Sequence, residues 1–250
     1  MQYGICHLSI VPVRVSPDDS TAMVTQLVYG DLFKIKENRK HWVRIVVAFD
    51  GQEGWVSKNQ FKLVSEEDFN KLNIDKNQIL ATDFISHILT SEEIFQPITL
   101  GARIDVSGFL GQTHEGNSQK PKQDKSKLVE TALLFLNAPS LSGGKTPFGV
   151  DCSGFTQMVY KANGFKLFRN TEKQATQGEA LSFIEESEPG DLAFFDNSDG
   201  IIDHVGIILK DNYIIHSYGY VRIDRIDHTG IFNPQEKIYT HKLRVIKKII

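Results

Sequence analysis

Gly149-Val150-Asp151-Cys152-Ser153-Gly154-Phe155 sets one cysteine between a glycine-containing loop and an amphipathic run, Phe155, Met158, Val159 and Ala162. A thiol in the first turn of a helix faces unpaired backbone N–H groups and the positive end of the macrodipole. Both favour the thiolate, the nucleophilic form. On this reading Cys152 is a candidate nucleophile at the start of a helix that stops near Gly164. The alternative is a buried structural cysteine, since free cysteine is often a core residue.

Outward from that helix, the C-terminal half is read as helices followed by strands. Leu128, Val129, Ala132, Leu133, Phe135 and Leu136 carry helical periodicity, and Pro139 ends that helix. Ser140 to Val150 form a Gly-rich loop leading into Cys152. Asn170 is a candidate N-cap of a third helix, with Glu172 in its first turn. After Pro189-Gly190 come apolar runs over 191–195, 204–209, 213–217, 220–223 and 242–249, read as an antiparallel meander. Helices first and then a meander predict an α+β layout over 128–250, with helices packed on an antiparallel sheet.

The N-terminal half reads differently. Residues 1–64 alternate short apolar runs with turns such as Ser16-Pro17-Asp18-Asp19 and Asp50-Gly51, which predicts a small β-barrel. Trp42 and Trp55 are read as core or rim aromatics. Ser65 with Asp68 three positions on predicts a short capped helix over 65–76. Residues 77–112 hold weak strand signals that could make a second small β-domain. Residues 113–127 are polar, contain Pro121 and are read as an exposed linker.

Composition narrows the classes. Of the 250 residues 40% are hydrophobic and 24% charged, ordinary values for a globular protein. Lys+Arg 28 against Asp+Glu 31 gives −3, which supplies no general attraction to nucleic acid or an anionic membrane. The only cysteines are Cys6 and Cys152. They exclude a disulfide framework and a four-cysteine zinc site, and leave a single disulfide between them open. No stretch approaches the ~18 apolar residues of a membrane span. The start, Met1 to His7, has no basic region followed by a long apolar run, so a cytoplasmic protein is expected.

A cysteine nucleophile needs a base, and the base needs a partner that fixes its orientation. Two of the eight histidines stand out. His204 begins the run His204-Val205-Gly206-Ile207-Ile208-Leu209, and His216 ends Tyr213-Ile214-Ile215-His216. A hairpin folding about Lys210 would set them roughly opposite each other on one sheet face. His204 would then receive the thiol proton, and His216 would hold the far imidazole nitrogen. His7, His41, His87, His114, His228 and His241 have no such context and are read as surface or structural. A metal reading of Cys152, His204 and His216 is open by ligand type but lacks a fourth ligand nearby in sequence. No metal or cofactor is therefore expected.

These stretches resemble the NlpC/p60 papain-like cysteine peptidases, which hydrolyse cell-wall peptides. The similarity is carried by Gly143 to Phe155, by Pro189-Gly190-Asp191-Leu192-Ala193-Phe194-Phe195, by His204-Val205-Gly206-Ile207 and by His216. The order Cys, His, His in these contexts is specific. Residues 1–64 resemble the bacterial Src-homology-3-like domain that precedes the catalytic domain in one subgroup, the γ-D-glutamyl-L-diamino-acid endopeptidases. That subgroup cuts murein peptides after L-Ala-γ-D-Glu and helps recycle them. The resemblance is weakest over 77–127. It implies a peptidoglycan-derived peptide as substrate, with Cys152 as nucleophile, His204 as base and His216 as the orienting residue. It further implies that Asp151, Ser153 and Thr171 contact the D-Glu part.

The departures bear on specificity. Relatives read Pro-Tyr-Leu-Trp-Gly-Gly before the cysteine, where this chain has Pro139-Ser140-Leu141-Ser142-Gly143-Gly144. The acidic residue and the tyrosine that hold the amine of L-Ala align with Ala22 and Gln52. Asn170 stands where an aspartate follows Arg169, and Tyr218 and Tyr220 follow His216 where smaller or polar residues are expected. An amine held without a carboxylate loses a charge-assisted contact of about 1.5–3 kcal/mol. An altered specificity is therefore expected. The competing readings are drift compensated by Glu53 or Asp19, and a protein of the same fold that binds a muropeptide or a partner but turns over poorly.

Overall fold

Apolar residues at every second position of the first 64 need a shared interior, and a curved sheet supplies it. A computed structural model of the chain describes residues 1–74 and 78–250. These divide into two units, Met1–Lys122 with Ser142–Thr146, and Gln123–Leu141 with Pro147–Ile250.

In the first unit β1 (Gln2–Ile5), β2 (Ile10–Arg14), β3 (Met23–Val28), β4 (Leu32–Asn38), β5 (Trp42–Val47), β6 (Glu53–Ser57) and β7 (Lys62–Val64) form one antiparallel sheet. Its order is β3-β2-β6-β5-β4-β1-β7. Val11, Val13, Phe33, Ile35, Val43, Ile45, Val47 and Val56 fill its core. Trp55 is buried under the Arg39 guanidinium, 4.5 Å from its ring centroid, and Trp42 is half-buried. Cys6 is fully buried, its Sγ donating to the Leu8 carbonyl at 3.3 Å. Both cysteines are free, so the disulfide left open by the sequence is not formed.

Helix α1 (Glu66–Leu72) follows, with Ser65 as its cap: Oγ accepts from Asp68 N–H at 3.0 Å. Residues 75 and 76 of the expected helix, and residue 77 at the start of the expected second β-domain, lie outside the described residues. Strands β8 (Leu80–Ala81), β9 (Ile85–Leu89) and β10 (Phe95–Thr99) come next. They do not enclose a core of their own. Ile88, Ile98, Ala102, Ile104 and Val106 pack in one cluster with Tyr3, Ile5, Tyr29 and Phe69. The polar stretch 113–127, expected as a linker, contains β11 (Thr113–Glu115) on β9 and β12 (Ser118–Gln119) on β8. Edge strands pair through backbone groups, so exposed polar side chains are no bar. Asp83 adds an anchor by accepting from the N–H and Nδ2 of Asn117 at 2.6 and 2.9 Å.

The short β13 (Lys145–Thr146) also belongs to this unit. Lys145 is fully buried; its Nζ pairs with Asp31 at 3.3 Å and its N–H donates to Gln26 at 2.8 Å.

The second unit holds α2 (Leu128–Leu134), β14 (Gly149–Val150), α3 (Cys152–Ala162), α4 (Thr171–Gln174) and β15 (Glu179–Leu181). The sheet strands β16 (Leu192–Asp196), β17 (Ile202–Ile208), β18 (Tyr213–Tyr218), β19 (Tyr220–Ile226), β20 (Gly230–Asn233) and β21 (Ile238–Lys248) follow. The order is β15-β21-β16-β17-β18-β19-β20, and β21 pairs with β20 as well. The expected open meander is therefore closed on itself. The device is β21, whose 11 residues reach both β16 and β20. Bulges at Phe194/Phe195 and Ile231/Phe232 let the sheet curve. Ala193, Phe195, Ile208, Ile214, Ile226, Ile231 and Ile246 form a common cluster. Helix α3 is buried from Ser153 to Ala162, as a central helix is, and ends where Gly164 takes φ +80°. Strands dominate: 21 of them against four short α-helices among the described residues, so the α+β class fits only loosely. No helix among the described residues is long and apolar enough to cross a membrane.

Candidate active site

Asp151 turns the extended β14 into α3. Its backbone stays extended (φ −85°, ψ 171°) while its carboxylate accepts from Gly154 N–H at 2.7 Å, the bond expected of an N-cap. Arg169 then grips that carboxylate with both ends of its fork, Nη1 to Oδ1 at 2.9 Å and Nη2 to Oδ2 at 2.7 Å. Nη1 also donates to Ser153 Oγ at 2.8 Å, and Arg169 is only 3% exposed. Asp151 and Ser153, expected to meet substrate, are thus held by a buried guanidinium. Gln174 ties α4 to α3: its Nε2 donates to the Ser153 and Phe168 carbonyls at 2.9 and 2.8 Å, and its Oε1 accepts from Thr156 at 2.8 Å. This brings Thr171, the first residue of α4, to 3.8 Å from Cys152 Sγ.

Cys152 Sγ lies 3.7 Å from the carbonyl of Asp203, the residue before His204 on β17. Burial, with the Asp151 charge, pushes the thiol up to about 11. Thr171, the Val205 N–H and Arg169 act in the opposite direction and are outweighed. The expected ready thiolate is thus opposed by desolvation, which outweighs what the helix start returns.

The hairpin that carries the histidines turns about Asp211 rather than Lys210. Asp211 and Asn212 both take positive φ (58° and 60°), the backbone of a tight primed turn, which Asp and Asn tolerate. Gly206 consequently pairs with His216, and His204 sits diagonally across rather than opposite. The two rings still meet, His204 Nε2 to His216 Nδ1 at 2.8 Å, nearly perpendicular at 89°. Glycine at 206 permits this approach: a Cβ there would lie 2.7 Å from Ile214 Cδ1 and 2.9 Å from His216 Cβ. Both histidines are buried, and burial lowers both below the ordinary imidazole value, His204 well below it. Burial thus favours the neutral form of each ring.

Two neighbours were missed in the sequence. Asp224 Oδ2 lies 3.0 Å from His216 Nε2 and pairs with Arg222 Nε at 2.6 Å. His241 stacks on His204, with centroids 4.0 Å apart and planes 26° apart. Burial, then the charge of His216, brings His241 down to about 4. Both lay just beyond expected strand ends, at Ile223 and Lys242, so neither was assigned to a sheet face. With β19 running to Ile226, Asp224 sits two residues past His216's partner Arg222, on the same face.

The donor nitrogens of His204, His216 and His241 lie within 4.8 Å of one another. The donor set suits a metal poorly as it stands. His204 Nε2 and His216 Nδ1 already bond each other, and the lone pairs of the stacked His204 and His241 rings run side by side instead of converging.

Of the remaining expected site residues, Ser140 and Tyr218 lie in this unit. Ser140 Oγ is 2.7 Å from Ser217 Oγ, which donates to the Val150 carbonyl at 2.8 Å. Tyr218 is 44% exposed and stands edge-on to His241 at 5.0 Å. Ala22, Gln52 and Ser142 belong to the first unit. The Ala22 carbonyl accepts from Val15 N–H at 3.0 Å, Gln52 N–H donates to Asp50 at 2.9 Å, and Ser142 is exposed. Glu53 pairs with Arg44 at 2.8 Å, and Asp19 lies 3.8 Å from Arg14.

Residues 139–243 match the NlpC/P60 family, and residues 13–61 match the bacterial dipeptidyl-peptidase Sh3 domain. The chain is 25% identical over 217 residues to a γ-D-glutamyl-L-lysine dipeptidyl-peptidase of Bacillus subtilis, covering 77% of this chain and 71% of that protein. It is 24% identical over 229 residues to the protein of the same name from Bacillus cereus, covering 80% and 68%. The crystal structure of an NlpC/P60 family protein from Bacillus cereus covers 99% of both chains with a TM-score of 0.81 at 19% identity, a likeness of fold.

Proposed function

The chain carries an NlpC/P60 domain behind a bacterial Sh3 domain, and on that premise we propose that it is a cysteine peptidase hydrolysing γ-D-glutamyl amide bonds of peptidoglycan-derived peptides. The observation that carries the reading is the His204–His216 pair at 2.8 Å on the strand whose Asp203 carbonyl lies 3.7 Å from Cys152 Sγ. His216 occupies His204 Nε2, so Nδ1 is the nitrogen left to act as base. As Sγ attacks the amide carbon its proton passes to His204 Nδ1, and no thiolate need be formed beforehand. The Cys152 N–H, unpaired at the helix start, donates to the oxyanion. Collapse breaks the C–N bond, with the proton returned to the leaving amine. Water, deprotonated by His204, then cleaves the thioester and restores the thiol.

Asp151, Ser153 and Thr171 are the polar groups we assign to the D-Glu side, with Arg169 fixing the first two. Ser140 replaces a ring beside the nucleophile with a small hydroxyl bonded to Ser217, and Tyr218 adds a ring near His241. These features support a peptide that differs from L-Ala-γ-D-Glu-diamino acid around the scissile bond. The serine at 140, where relatives carry an aromatic ring, supports a second reading, a muropeptide-binding protein with slow turnover.

Mass spectrometry of a muropeptide digest incubated with wild type and Cys152→Ala tests both readings. New fragments cut at a γ-glutamyl bond, present with wild type and absent with the variant, are the expected result. Bound but intact peptides after long incubation would favour the second reading.

A further inference from the structure

Asp224 is buried, 3% exposed, and held on two sides, by His216 Nε2 at 3.0 Å and by Arg222, whose Nη2 donates to Oδ1 at 2.9 Å and whose Nε lies 2.6 Å from Oδ2. Burial alone would raise its carboxyl, but the bonds from His216 and Arg222 outweigh burial and hold it below the usual carboxylate range. At neutral pH it is an acceptor only. His216 Nε2 must therefore carry a proton toward it. A neutral imidazole has one N–H, so His216 Nδ1 is a bare acceptor. That atom is the one 2.8 Å from His204 Nε2, which must then be the donor. His204 Nδ1 is left with an open lone pair.

We propose that Asp224 is a positioning residue that sets the tautomer of both histidines, so that Cys152, His204, His216 and Asp224 act as one chain in which the carboxylate makes His204 Nδ1 a base. The inference deepens, and rests on, the reading of His204 as the base for Cys152. Removal of the carboxylate would reverse the direction of every donor in this chain. Arg222 remains opposite His216 across the β18–β19 pair, and its positive charge favours a bare Nε2. His216 Nδ1 would then carry the proton and donate to His204 Nε2, and His204 Nδ1 would hold the proton that blocks it. When His204 becomes an imidazolium during the attack, Asp224 supplies the compensating charge through His216.

The test is long-range 1H–15N NMR of histidine-labelled wild type and Asp224→Ala at pH 7, with kcat and KM measured on the muropeptide digest. Wild type is expected to show N–H at Nε2 and a bare Nδ1 on both His204 and His216. The variant is expected to show the reverse on both rings. Its kcat should fall about 10⁴-fold with KM within about threefold, in line with the loss when a catalytic histidine is held in the wrong tautomer. A wild-type His204 protonated at Nδ1 overturns the proposal, and so does a variant that keeps Nε2–H on His204. Should the variant not fold, the wild-type spectrum alone decides. The expected wild-type spectrum without any muropeptide hydrolysis would sink the peptidase reading and leave the tautomer assignment standing. Hydrolysis with a wild-type Nδ1–H would do the opposite.

Discussion

At Cys152 the helix start and the desolvated pocket pull in opposite directions. The macrodipole effect falls off within a turn and amounts to ~0.3–1 kcal/mol for an exposed charge. A rise of the thiol to about 11 corresponds to roughly 3 kcal/mol against the thiolate, so burial wins. The alkylation rate of the resting protein by iodoacetamide should therefore keep climbing through pH 9 to 11, and at pH 7 it should not exceed that of a free cysteine. A pH-independent rate at neutrality, well above that of a model thiol, would show a preformed ion pair with His204 and refute this account. The heptapeptide around Cys152 made the helix start legible because its neighbours in sequence are its neighbours in space. The surroundings of the sulfur were not legible, since Thr171, Asp203 and Val205 arrive from other elements.

The elements around the site depend on one buried cation. Arg169 binds the Asp151 carboxylate that caps α3 and the Ser153 hydroxyl, joining the segment before α4 to the start of α3. Arg169→Ala removes the guanidinium from a pair whose carboxylate is still a quarter exposed, a change that costs about 2–3 kcal/mol. Lysine cannot restore the two-pronged contact, so Arg169→Lys should recover less than half of that loss. Urea denaturation of both variants, with circular dichroism as the signal, measures the difference. A loss under 1 kcal/mol for Arg169→Ala would mean that the clamp contributes little. The sequence showed neither the capping by Asp151 nor the clamp, because the clamp's partners are 18 residues apart and no periodicity links them. Strand ends limited the rest. Placing β19 at 220–223 and the last strand at 242–249 left out Asp224 and His241 by one residue each, enough to hide both contacts of the histidine pair. Asn170 shows a local signal that did not operate: it stands at the N-cap of α4 with extended backbone, yet its side chain makes no capping bond.

Across the whole chain an N-terminal half of short strands and a C-terminal half of helices followed by strands were readable from periodicity, alternation and turns. Closure of the second sheet was not, because it depends on β20, where Gly230 and Asn233 read as turn residues. That closure encloses the histidine cluster and couples it to stability. His204, His216 and His241 are all lowered chiefly by burial, His241 to about 4, while an unfolded chain binds their protons near 6.5. The unfolded state thus holds more protons than the folded state as soon as pH drops below that value. The stability these neutral rings contribute is fully present above about pH 6.5 and is lost as pH falls, at about 1.4 kcal/mol per pH unit for each histidine. Both tryptophans lie in the first unit, so tryptophan fluorescence would report the wrong half of the chain. Hydrogen exchange of peptides from β17, β18 and β21, corrected for intrinsic rates, reads the relevant one. Their opening free energy should fall steadily from pH 7 to pH 5, and His241→Phe should remove about one proton's share of that slope while His204 and His216 keep theirs. An opening free energy that stays level over this range would mean that the three rings are protonated in the folded state after all.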